Sequence, residues 1–274
     1  MPELPEAENI RLALDGVLPG RVITRVQVFS PKMRTDISVL TAAGLEGRKF
    51  ERIRRRGRYL IAELDDGRGI LMHLGMSGVI RVESAAIPKR KHEHVFFHLD
   101  DGRIFRFECT RRFSLLEVHA LDARSRLPEV LDFLGVEPLE EKFTAEYLFH
   151  ESRSRSIAVK SFLMDNAVVV GIGNIYVTES LFAARILPTR RAKDLNLAEY
   201  HLIITEVRRI LKWAIALGGS SISDFLNVDG SEGKFARELQ IYGRAGSPCP
   251  QCGTKLKTIK LNGRSSCFCP ECQK

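Results

Sequence analysis

The chain has 274 residues, 44% of them hydrophobic, with 42 Lys plus Arg against 34 Asp plus Glu, for a formal net charge of +8. That length and apolar content let the chain bury a real core and fit two folded parts with a small appendage, and a sequence pI near 9.3 points to nucleic acid more than to a small neutral substrate. No apolar run approaches the roughly 18 residues of a membrane span, and no secretory leader precedes the acidic, proline-bearing start, so a reducing, cytoplasmic setting without a membrane partner is expected.

The first element is Met1-Pro2-Glu3-Leu4-Pro5-Glu6. Trimming of Met1 leaves Pro2 as a secondary amine with the Glu3 carboxylate beside it, a nucleophile and an acid in two residues. An α-amino group has a reference pKa of about 7.7 to 8.0 against about 10.4 for Lys, so it needs little depression to attack a carbonyl-like carbon near neutral pH. The plainer alternative is a frayed terminus leading into a helix. Pro5 suits the first turn of a helix running through Ile10, Leu12 and Leu14 to Pro19-Gly20, with Glu6 and Glu8 as first-turn acids. Next, Arg21 to Phe29 alternates as a strand, and two hairpins follow, each turning on Asp-Asp-Gly: Tyr59–Leu64 with Gly69–Leu74, and Val95–Leu99 with Arg103–Phe107. His94 and His98, on the second hairpin, read as structural. Antiparallel sheets packed as a sandwich are expected up to about residue 120.

A joint near Pro128 to Pro138 leads into a helical part from about residue 140 to 217. Val168 to Tyr176 begins like a dinucleotide fingerprint, but Tyr176 stands where its third glycine belongs. A helix over Val159 to Asn166, a Gly-rich turn, and a helix from about Ile175 to Ile186 fit better. The amides of Gly171, Gly173 and Asn174 at the positive end of that helix suit a phosphate, or are plain punctuation between helices. Asn196-x-x-Glu199 reads as a capping box ahead of a core-facing stripe of Tyr200, Ile203, Ile204, Val207, Leu211 and Ala214, halted by Gly218-Gly219.

Cys249-x-x-Cys252 and Cys269-x-x-Cys272, sixteen residues apart, have the spacing of a four-thiolate site for one structural Zn2+. Lys255 to Leu261 followed by Asn262-Gly263 reads as the hairpin between two knuckles. Two disulfides are the alternative in a secreted protein. Cys267 could compete as a ligand, but only Cys269 and Cys272 restore the two-residue gap. Six positive side chains between Tyr242 and Lys274 face the single acid Glu271, so the zinc-loaded module stays basic.

Together these stretches resemble the formamidopyrimidine-DNA glycosylase family, whose members remove oxidised purines from DNA. The similarity spans the whole chain: Pro2 to Glu6, His73-Leu74-Gly75-Met76-Ser77-Gly78, Lys91 to Val95, Arg111-Arg112-Phe113, Asp165-Asn166 through Tyr176, Gly218-Gly219 to Asp224-Phe225-Leu226, Tyr242-Gly243-Arg244, and the ribbon with Arg264. Leu4 favours this group over its endonuclease VIII sisters, which have Gly there. The resemblance implies an α+β fold: an N-terminal antiparallel β-sandwich catalytic domain over residues 1–130, a helical helix-two-turn-helix DNA-binding domain over 131–235, and a zinc-ribbon finger over 236–274. It implies a monomer acting on double-stranded DNA with a damaged base. Pro2 attacks C1′ to form an iminium, Glu3 protonates the opened sugar or base, Glu6 helps position the site, and β- and δ-elimination nick the strand. Met76, Arg112 and Phe113 fill the void left by the extruded base, whereas taken singly Met76 and Phe113 read as core. Arg111, His92, Arg155, Lys160, Asn174, Tyr242 and Arg264 are implied to contact the DNA backbone or the lesion strand, Arg264 also belonging to the catalytic set.

Three departures from the family pattern stand out. Arg58 stands where the family has a Lys assigned to catalysis, and a guanidinium holds phosphate but exchanges protons poorly. Cys109-Thr110 replaces Asp-Pro, and Ser114 replaces Gly. Covalent chemistry at Pro2 is therefore expected with altered excision, strand cleavage or lesion preference; the alternative is a damage- or junction-recognising DNA-binding relative with little turnover.

Overall fold

In the computed structural model, which describes residues 2–30, 32–124, 127–220, 228 and 233–274, helix α1 spans Leu4–Asp15. Glu3 is its N-cap in a reciprocal capping box with Glu6, and Pro5 sits in the first turn where no N–H is needed. Leu4, Ala7, Ile10 and Leu14 face inward, whereas Leu12 is exposed. The helix stops short of the expected Pro19-Gly20 because Gly16 caps it and the Asp15 carboxylate turns away to accept the Ile53 amide at 2.7 Å.

Two four-stranded antiparallel sheets follow. The strands are β1 (Ile23–Val28), β2 (Phe50–Arg56), β3 (Tyr59–Leu64), β4 (Arg68–His73), β5 (Gly78–Ser84), β6 (Glu93–Leu99), β7 (Arg103–Cys109) and β8 (Leu115–Ala120). One sheet has the order β1-β6-β7-β5 and the other β2-β3-β4-β8. Both Asp-Asp-Gly hairpins form where the sequence places them. A single core joins Ile53, Leu60, Ile70 and Met72 of one sheet to Val95, Phe97, Phe105 and Phe107 of the other, with Ile10 and Leu14 of α1. That is the expected sandwich. β1 breaks strict alternation: a bulge between Ile23 and Arg25 lets both Ile23 and Val26 face the core.

The chain divides into two compact units, Met1–Asp132 with Leu217–Lys234, and Phe133–Ala216 with Phe235–Lys274. In the second, α2 (Ala145–Ser152) is capped by Thr144, α3 covers Val159–Leu163, α4 Asn174–Ala183 and α5 Leu197–Ala216. α3 and α4 are each shorter than the sequence pattern suggested. The Asn196–Glu199 capping box is present, its two reciprocal bonds both 2.9 Å, and the anticipated stripe of α5 is buried. β9 (Lys257–Leu261) and β10 (Arg264–Phe268) make a hairpin whose turn places Asn262 and Gly263 at φ 46° and 73°, the paired left-handed geometry that Asn-Gly favours. No described helix is long and apolar enough to cross a membrane.

Candidate active site and nucleic-acid interface

Residue 2 precedes the N-cap of α1, at the end where the helix dipole is positive. Its neighbours are buried: Glu3 is 4% and Glu6 1% exposed. Glu6 Oε2 accepts the Glu3 amide at 2.8 Å, while Oε1 accepts both the amide and the hydroxyl of Ser220, at 2.7 and 2.9 Å. Gly219 lies against this carboxylate at φ +81°, and a Cβ there would sit 3.0 Å from Glu6 Oε1. The Gly218-Gly219 pair that halts α5 thus also lets the backbone reach Glu6. Asp224, Phe225 and Leu226, the rest of that matched stretch, lie outside the described residues, as does Met1.

Arg58 follows Gly57 in the β2–β3 turn. Arg55 donates to the Gly57 carbonyl (3.0 Å) and to Glu8 (2.7 Å), linking that turn to α1. Burial opposes ionisation of Glu8, but hydrogen bonds from Arg11 and Arg55 outweigh it and hold the carboxyl below its ordinary range. Across β3 and β4, Tyr59 pairs with His73, their rings 4.8 Å apart. Burial, reinforced by Arg58 and Arg34, pulls the His73 pKa down to about 4. Its Nδ1 accepts the Gly75 amide at 3.1 Å, as a neutral imidazole can. The sequence marked His73 only within a motif; its place between Arg58 and the Met76 loop emerges from strand register.

Beyond β4, Met76 is 37% exposed and Phe113 55%, so neither is a core residue. Arg111 and Arg112 are exposed beside Phe113, and Arg112 has φ +58°, an uncommon conformation for a side chain of this kind. His92 is half-buried, its carbonyl accepting the Cys109 amide at 2.9 Å. His94 and His98 are structural, as expected: His94 Nε2 lies 2.9 Å from the Cys109 carbonyl and His98 Nε2 3.3 Å from Gln27. Within this unit the structure therefore groups Met76, Arg111, Arg112 and Phe113 on two adjoining loops.

In the other unit, Asn174 opens α4, with Gly171 and Gly173 buried before it. Its Oδ1 is buried without a hydrogen-bond partner among the described residues. One turn and a half later, the buried Glu179 carboxylate accepts three consecutive amides, Gln240 (2.9 Å), Ile241 (3.0 Å) and Tyr242 (2.7 Å). Glu179 was not a sequence candidate; a Glu inside an apolar helix is the signal that would have raised it. Lys160 is 1% exposed, its ammonium donating to the Ser265 carbonyl (3.0 Å) and the Ser266 hydroxyl (2.7 Å), next to exposed Arg264 on β10. Arg155 pairs with Asp165 at 3.2 Å. A cavity of about 360 Å³ has Lys160, Asp165, Asn262 and Arg264 in its wall, so Lys160 and Arg264 border one space.

The sulfur atoms of Cys249, Cys252, Cys269 and Cys272 all lie within 4.8 Å of one another, with Cys249–Cys272 at 3.9 Å and Cys252–Cys269 at 3.5 Å. Four thiolates at about 2.3 Å from a tetrahedral Zn2+ stand roughly 3.8 Å apart, so the donor set fits the metal. Cys267 instead packs into a small core with Phe182, Ile241 and Leu256. Gln273 accepts the Cys269 amide and donates to the Ile186 carbonyl, both at 2.8 Å, anchoring the knuckle to the residues after α4.

The structure thus has three parts: a sandwich whose first helix begins just after residue 2, a helical unit with a Gly-led helix start, and a four-cysteine finger. Family models agree along the chain: the formamidopyrimidine-DNA glycosylase N-terminal domain over residues 1–116, the H2TH domain of the same family over 134–226, and a zinc finger found in FPG and IleRS over 246–274. Formamidopyrimidine-DNA glycosylase of Alcanivorax borkumensis is 44% identical over 274 residues, and that of Vibrio parahaemolyticus 43% over 279, each covering 100% of both chains. Solved Lactococcus lactis structures, one of a mutant with Fapy-dG-containing DNA and one with abasic-site DNA, superpose with TM-scores of 0.90 at 34% identity, covering 100% and 99% of both chains respectively. The chain belongs to the formamidopyrimidine-DNA glycosylase family.

Proposed function

We propose that the protein is a base-excision repair enzyme that removes oxidised purines, 8-oxoguanine and formamidopyrimidines, from double-stranded DNA and then nicks the strand. The observation that carries this function is the doubly anchored Glu6, which ties Glu3 and the residue-2 backbone to the positive end of α1. Relatives at 43 to 44% identity over the full chain bear the glycosylase name, and the Lactococcus lactis protein binds damaged DNA. The sandwich of residues 1–130 carries the chemistry, and the helical part (131–235) and the finger (236–274) hold the duplex. A monomer working in the cytoplasm, nucleoid-associated when bound to DNA, is part of the same proposal.

In this mechanism Met1 is removed and the Pro2 nitrogen lone pair attacks C1′ of the extruded nucleotide. The C1′–base bond breaks and its electrons leave with the base; the C1′–O4′ bond then opens with its electrons on O4′ as the nitrogen lone pair forms the iminium, and Glu3 donates a proton to the opened sugar oxygen or to the base. The resulting iminium draws electrons from C2′, so that loss of a proton there expels the 3′ phosphate, and a second elimination expels the 5′ phosphate. The dipole of α1 favours the unprotonated amine. Met76, Arg112 and Phe113 fill the vacated stack. Arg111, His92, Arg155, Asn174, Tyr242 and Arg264 hold phosphates, which positions DNA without reading sequence. Lys160 acts through the β10 backbone that carries Arg264, and Arg58 supplies charge in place of the family's Lys.

Borohydride reduction on a duplex containing 8-oxoguanine tests this. An adduct at Pro2 is expected; a protein that binds the duplex yet gives no adduct, or whose residue 2 stays blocked by Met1, is the binding-only relative.

A further inference from the structure

The loop bearing Met76 runs from β4 in one sheet to β5 in the other, and the loop bearing Arg112-Phe113 runs back from β7 to β8, so both cross between the two sheets side by side. Two serine hydroxyls join them. Ser114 is fully buried, and its hydroxyl faces the Leu74 carbonyl at 2.8 Å and the Cys109 sulfur at 2.9 Å, sharing one proton between two acceptors. Ser77 is 5% exposed, and its hydroxyl oxygen accepts the Arg111 amide at 3.1 Å.

The backbones between these struts are in contact. A Cβ on Gly75 would lie 2.6 Å from the Phe113 carbonyl oxygen, and one on Gly78 would lie 2.5 Å from the Leu74 oxygen and 2.7 Å from the Ser114 hydroxyl. Cys109 extends the junction, since its amide donates to His92 and its carbonyl faces His94, each at 2.9 Å. Cys109 and Ser114 are both positions where the chain departs from the family pattern, and they touch each other.

We propose that Ser114, seconded by Ser77, is a positioning residue that locks the two loops into one rigid wedge, so that Met76 and Phe113 enter the duplex together when the lesion leaves the stack. The wedge rests on the excision function proposed above. Neither serine reaches the DNA; each acts through the side chains its strut holds. A wedge ordered before binding spares the cost of ordering two separate loops on the duplex. The demand for it is greatest when a stacked, paired base must be displaced, and least when the base is already gone.

The test compares Ser114→Ala with the unaltered protein on a duplex holding 8-oxoguanine opposite cytosine and on one holding a preformed abasic site, with 2-aminopurine next to the lesion reporting unstacking. Base release should slow by about fivefold or more, the scale of one buried hydrogen bond. The ratio of base release to nicking at the preformed site should fall by a similar factor, and the 2-aminopurine signal on binding should drop. Ser77→Ala should shift the same ratio in the same direction, and it carries the test if Ser114→Ala does not fold. Equal losses in base release and nicking, or no loss in either, overturn the wedge. If the unaltered protein releases no base, the excision function fails by itself; equal 2-aminopurine signals from protein and variant would then still overturn the wedge.

Discussion

Glu6 and Ser220, 214 residues apart in sequence, meet at two hydrogen bonds of 2.7 and 2.9 Å to the same carboxylate oxygen. The other oxygen holds the Glu3 amide, so both oxygens are engaged in a buried setting. Glu6→Gln keeps the shape but turns an NH2 group toward an N–H donor. We expect a loss of about 1 to 3 kcal/mol in urea unfolding, the cost of a buried unsatisfied donor, with a lower borohydride adduct yield. An unchanged midpoint together with an unchanged yield would count against the clamp.

His73 gives stability an acid limb. Burial, then Arg58 and Arg34, hold its folded pKa at about 4, below the ordinary value near 6.5. Between those values the unfolded chain binds a proton that the folded chain refuses, so this group's contribution is flat above about pH 6.5 and stability falls as pH drops towards 4. Replacing His73 with Asn should flatten urea midpoints between pH 7.5 and 5 relative to the unaltered protein. Parallel slopes for the two would exclude His73 as the source.

Arg58 preserves charge and forfeits proton exchange. Arg58→Lys should raise single-turnover base release or strand nicking on purine lesions by about tenfold, less than the roughly hundredfold or more that a fully positioned proton-transfer group supplies, because Arg58 already provides the charge. Rates within about twofold of the unaltered protein on every lesion would show that the site tolerates either cation.

Removing the metal separates the finger from the rest of its unit. One zinc per chain is expected by elemental analysis, and Cys272→Ala should lose it along with the Gln273 anchor. The slope of log affinity against log salt on damaged duplex should then shrink by about 0.9 for each phosphate the finger no longer neutralises, while the α5 helical signal persists in circular dichroism. An undiminished slope would remove the finger from the interface.

Much of the fold is written in local patterns. Asp65-Asp66-Gly67 and Asp100-Asp101-Gly102 announce their hairpins because a short acidic stretch ending in glycine satisfies a turn by itself, and Asn196 and Glu199 cap α5 through bonds three residues apart. The four cysteines are equally legible, since metal geometry constrains their spacing. The bulge in β1 is not, because the partner strand decides which residue is extra. Nor are the burial of Lys160 or the three amides on Glu179, which depend on segments 61 to 106 residues away. The outward placement of Met76 and Phe113 was suggested only by the resemblance: an apolar residue carries no local mark that tells an exposed position from a core one.

The bond between Glu6 and Ser220 also sets an order in time. The ribosome has released the sandwich strands long before residue 220 leaves the exit tunnel, so the amino terminus emerges first and is seated among the last. A nascent chain therefore carries Glu6 without this partner until residue 220 has been made, and the buried arrangement beside residue 2 is completed by a segment synthesised more than 200 residues later.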